Sequence, residues 1–186
     1  MMEEEAAVRA IAEHPDAALP RPSRFTHSFP TLREILIGAP CWGLTMALSA
    51  WLALWLREND ATFHLKSILV LYGSGGLLAW PPSLFAARYA ARGRTTSTRF
   101  AAFLLCLVAG TIGATALLFA LDYRMFYAQW HAAAGTRTWF FQLAFTSAGA
   151  ICQFLVLGVR LYLPLAVMAL VVASLALARS DARQRR

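Results

Sequence analysis

Five residues of unusual type sit at helical spacing inside one long apolar run. Gln142, Thr146, Gly149, Gln153 and Arg160 are separated by 4, 3, 4 and 7 positions. At about 100° per residue they fall within about 60° on one face of a continuous helix. Gln142 and Arg160 then share an azimuth, about five turns apart. Polar side chains in lipid are costly unless paired, and a central arginine most of all. The stripe formed by Gln142, Thr146, Gln153 and Arg160 is therefore expected to face protein or water. Its possible chemistry is a polar pathway or an anion-attracting site, with Arg160 as the fixed charge. Its plainer use is interhelical hydrogen bonding, with Arg160 reaching up to headgroups.

The other chemistry-bearing residues are sparse. His64 and His131 fall in two gaps between apolar blocks, with Glu58, Asp60 and Asp122 near the same boundary. These types would suffice for a weak hydrolytic cluster, yet no Ser-centred, zinc-type or Gly-rich signature accompanies them. The apolar blocks contain no Asp or Glu and no histidine placed to hold a haem between helices. Cys41, Cys106 and Cys152 lie in three different blocks and match no zinc spacing. They read as small buried hydrophobes. No catalytic residue, metal or cofactor is assigned.

These residues must be positioned by membrane helices. The chain is 59% hydrophobic and 15% charged, against about 25% charged in ordinary soluble domains. The excess lies in blocks near Ile35–Leu56, Ser67–Ala87 and Phe100–Leu121, followed by the run Thr138–Ala178. One crossing takes about 20 apolar residues, so the last run is too long for one helix. The acidic start (Glu3, Glu4, Glu5) lacks the basic region of a cleaved leader, so the first block is expected to act as an uncleaved anchor.

Charge sets the expected orientation. The net charge is +7, and Lys66 is the only lysine. Arginines cluster before Ile35, between Arg88 and Arg99, and after Ala178. Basic segments favour the cytoplasmic side, so both termini are expected to be cytoplasmic, which demands an even number of crossings. Four crossings satisfy this if the last runs over Val159–Ala178. Residues 138–158 would then form a re-entrant or surface-lying hydrophobic helix on the outer side. Asp122–His131, with Tyr123, Phe126, Tyr127 and Trp130 on one face, reads either as a short interfacial helix or as an extension of the third crossing. With basic residues serving orientation and anionic lipid, no nucleic-acid partner is expected.

Within the blocks, small residues and prolines predict packing. Gly73, Gly75 and Gly76 in the second block, and Gly110 and Gly113 in the third, allow close helix approach. Pro81, Pro82 and Pro164 predict helix kinks. The expectation is an all-α integral membrane protein, a four-transmembrane-helix bundle with an additional re-entrant or interfacial helix. Residues 1–34 would form a flexible cytoplasmic arm, 35–179 the transmembrane domain and 180–186 a basic tail. The Arg- and Ala-rich, Lys-poor usage points to the inner membrane of a bacterium with a GC-rich genome. The expected role is a non-catalytic accessory, assembly or scaffolding component whose partners are the bilayer and other membrane subunits or itself. The alternative is a small oligomeric transporter or channel using the second helix and the polar stripe; a membrane enzyme ranks third.

Overall fold

Helix α1 begins where Thr31 and Glu34 cap each other. The Thr31 Oγ1 accepts from the Glu34 N–H at 3.3 Å, and the Glu34 carboxylate accepts from the Thr31 N–H at 2.8 Å. This reciprocal box satisfies amides that a helix start leaves unpaired. From there α1 spans Leu32–Trp55, α2 Leu65–Ala90 and α3 Thr96–Tyr127. A 3-10 turn at Ala128–Trp130 follows, then α4 over Arg137–Gln153, a π-wound segment at Phe154–Gly158, a 3-10 segment at Val159–Tyr162, and α5 over Leu165–Arg183. The computed structural model describes residues 28–57 and 64–183. The expected N-terminal arm up to residue 27, Glu58, Asp60 and the last three residues lie outside the described residues.

Among the described residues every regular element is helical. Four stretches, Leu32–Trp55, Leu65–Ala90, Thr96–Trp130 and Arg137–Tyr162, are long and apolar enough to cross a membrane. That is the pattern of a multi-pass membrane protein.

Three boundaries differ from expectation. The first helix starts before Ile35 because its cap is Thr31. The third helix continues through Asp122 to Tyr127, so Asp122–His131 is an extension and not a separate interfacial helix. Its aromatic face is gathered: the Tyr123 and Tyr127 rings lie 4.5 Å apart, and Phe126 and Trp130 5.5 Å apart. The long apolar run divides at Leu163–Pro164, beyond the expected junction at Val159, and the stretch of it long and apolar enough to cross is Arg137–Tyr162, the part expected to be re-entrant or surface-lying. Leu163 is extended, the conformation that a following proline favours.

The prolines act unequally. α2 stays helical through Pro81 and Pro82, whereas Pro164 stands at a true break. The glycines are unequal too. A Cβ at Gly76 would press on Met46, and one at Gly75 or Gly110 would collide with Thr115 or Ser83. Gly73 sits in ordinary contact with Ala47, but nothing lies within 4 Å of a Cβ at Gly113. Gly73, Gly75, Gly76 and Gly110 thus set the approach of α2 to its neighbours, and Gly113 faces away. α3 touches α2, α4 and α5, with Phe103 and Leu107 fully buried at its centre.

Candidate functional site at the helix break

A π turn, a 3-10 turn and an extended residue in succession release backbone groups from regular helix pairing. In an apolar setting each released group needs a partner inside the protein. Side chains from α1 and α2 partner several of them. The Tyr72 hydroxyl donates to the Gly158 carbonyl at 2.6 Å. The Ser49 Oγ donates to the Tyr162 carbonyl at 3.1 Å and accepts from the Ala166 N–H at 3.0 Å. Ser49 therefore bridges both sides of the break with one hydroxyl.

A second layer holds the Tyr162 ring. Its hydroxyl lies 2.7 Å from the Thr115 Oγ1, which also lies 2.8 Å from the Thr111 carbonyl of its own helix. The Trp42 indole N–H donates to the Thr111 Oγ1 at 3.0 Å. The rings of Tyr72 and Tyr162 pack with centroids 5.0 Å apart. Gly158 is required here, since a Cβ would enter the Phe154 ring. Beside the clasp lies an apolar cavity of about 160 Å³, bounded by Trp42, Met46, Leu107, Tyr162 and Leu170 among others.

This cluster is made of hydroxyls and one indole, and each is already partnered within it. It has no carboxylate, imidazole or thiol to act as base or nucleophile. What it can do chemically is hold a broken helix in one conformation. Among the described residues, no group of three His, Cys, Asp or Glu side chains converges to hold a metal ion.

The polar stripe is not gathered on one packed face. The Gln142 Oε1 accepts from the Ala132 N–H at 2.8 Å, tying α4 to the preceding turn. Thr146 donates to the Gln142 carbonyl of its own helix at 2.6 Å. Gly149 and Gln153 are exposed. Arg160 is exposed as well, its Nε donating to the Leu157 carbonyl at 3.0 Å. A π-wound turn and a 3-10 turn lie between Gln153 and Tyr162, so α-helical spacing alone does not set where Arg160 points relative to Gln142.

Sequence reasoning missed the charged contacts at the opposite end of α1. Arg88 forks onto both carboxylate oxygens of Glu34, and its side chain is only 8% exposed. Arg99 on α3, partly buried, lies 3.5 Å from the buried Asp181 on α5. The Thr31-Leu32-Arg33-Glu34 pattern signals the helix cap but carries no sign of Arg88 as its partner. Of the outer-boundary residues, His64 and Asp122 line one cleft, and His131 is not part of that lining. Cys41 and Cys152 are exposed and Cys106 is half-buried, all three free.

No family model matches the chain, and neither a curated protein nor a solved structure matches it.

Proposed function

We propose that this protein is a non-catalytic accessory or scaffolding component that docks on a membrane partner through α4. One observation carries the reading. Of the residues in α4, only Ala150 is buried, and its outward side presents Ala148, Gly149, Cys152 and the unpartnered amide of Gln153. Small residues permit close helix approach, and a glutamine in lipid gains from a partner's hydrogen bond. The buried polar groups at the helix break are meanwhile spent on one another, which fits a structural role better than a reactive one.

The transporter alternative draws less support. α2 is helical through Pro81 and Pro82, and the Gly158 and Tyr162 carbonyls are already taken by Tyr72 and Ser49. An ion arriving at the break would find few free oxygens.

Cys152 offers a direct test, because it lies on the face in question. In a Cys41→Ala, Cys106→Ala background, a bifunctional maleimide applied to intact membranes is expected to link Cys152 to a partner chain. The same partner should co-purify in mild detergent and be lost with Gln153→Leu. A solitary monomer with no adduct would refute the proposal.

A further inference from the structure

A second opening lies between the His64 end of α2 and the Asp122 end of α3. It encloses about 700 Å³ and is bordered by His64, Lys66 and Asp122. Its wall is apolar, with Leu71 from α2 and Leu118 and Phe119 from α3. Lys66 and Asp122 are of opposite charge and border the same space, yet no ion pair joins them among the described residues. Both side chains are exposed. Each is therefore available to a ligand that carries the complementary charge. Lys66 is also the one lysine of a chain otherwise supplied with arginine. Lysine acts on a phosphate as a compact, mobile point charge.

We propose that this cleft holds one phospholipid with a zwitterionic headgroup. Its phosphate meets Lys66 and His64, its ammonium meets Asp122, and an acyl chain lies along Leu71, Leu118 and Phe119. Charge complementarity selects this occupant. A purely anionic headgroup would satisfy Lys66 but face the Asp122 carboxylate with no cation to offer it. A soluble zwitterion would match the charges but leave the apolar wall uncovered, and that wall continues along two membrane-crossing helices. The proposal rests on the membrane reading of α2 and α3 and is independent of docking through α4.

The test titrates the detergent-purified full chain with phosphatidylethanolamine, phosphatidylglycerol and glycerophosphoethanolamine, counting bound molecules by native mass spectrometry. One phosphatidylethanolamine per chain is expected, held more tightly than phosphatidylglycerol. Lys66→Ala and Asp122→Asn are each expected to weaken it about tenfold, the loss of one charge-assisted contact. Asp122→Asn should at the same time tighten phosphatidylglycerol. Both side chains are exposed, and unchanged thermal unfolding will show that the variants fold. Equal retention of the two lipids by the unaltered protein would overturn the proposal. So would phosphatidylethanolamine binding that neither substitution moves. Glycerophosphoethanolamine binding as tightly as the lipid would overturn the assignment to a lipid.

Discussion

Ser49→Ala is the sharpest test of the helix clasp. Ser49 is fully buried, and its hydroxyl serves the Tyr162 carbonyl and the Ala166 N–H together. The substitution removes one oxygen and leaves little space, so the cavity contribution is small. What remains is a stranded amide and a stranded carbonyl. Leaving a buried polar group unpaired costs about 1–3 kcal/mol, while hydrogen bonds between membrane helices average nearer 0.6 kcal/mol. The amide and the carbonyl are four residues apart and would pair in a continuous helix, but the extended backbone at Leu163 keeps them from meeting. We therefore expect a loss of about 2 kcal/mol. Tyr72→Phe strands only the Gly158 carbonyl, and a lone carbonyl is better tolerated than a lone N–H, so it should cost less, about 1 kcal/mol. Reversible unfolding in mixed detergent and dodecyl sulfate micelles, followed by tryptophan fluorescence, measures both. A Ser49→Ala change within about 0.5 kcal/mol of the unaltered protein, or a larger effect from Tyr72→Phe, would refute the reasoning.

Three further outcomes are expected. Gly75→Ala should destabilise by about 1–3 kcal/mol through overpacking against Thr115, whereas Gly113→Ala, with open space around it, should be neutral in the same unfolding assay. Glu34→Ala should cost about 3 kcal/mol by leaving the Arg88 guanidinium buried without its partner; Glu34→Gln, which keeps the Thr31 cap, should recover part of this, read as thermal stability in detergent. A topology reporter fused after Arg186 should report a cytoplasmic C-terminus, as the arginine distribution demands, and an outward-facing one would exclude the arrangement with both termini cytoplasmic.

The first three helices were legible because each is an uninterrupted apolar block bounded by charge. Their packing glycines were legible in type but not in partner. Gly75 and Gly113 read alike in sequence, yet one meets Thr115 and the other meets open space. That difference depends on which face of a helix turns toward its neighbour. Periodicity cannot decide this when all faces are apolar. The polar stripe rests on a related assumption. Its shared azimuth assumed a continuous α-helix, and a π turn of five residues, Phe154–Gly158, removes that continuity.

The residues of the clasp were visible only as isolated oddities. Thr111 and Thr115 are hydroxyls that can bond their own helix or a neighbour, while Ser49, Tyr72 and Tyr162 are unremarkable in apolar blocks. The bonds that Ser49, Tyr72 and Thr115 make to the broken segment join positions more than forty residues apart, so no local spacing reveals them.

The sequence by itself determined that the chain is helical, multi-pass in character and basic between its apolar blocks, because burial in lipid and charge asymmetry are written in composition along the chain. Only the tertiary structure decided where the last apolar run breaks, which hydroxyls close that break, and that Arg88 and Arg99 are held by Glu34 and Asp181. Those outcomes depend on pairing between distant segments. Hydrogen bonds and ion pairs are short-ranged and directional, so they exist only once the helices have set their faces and depths.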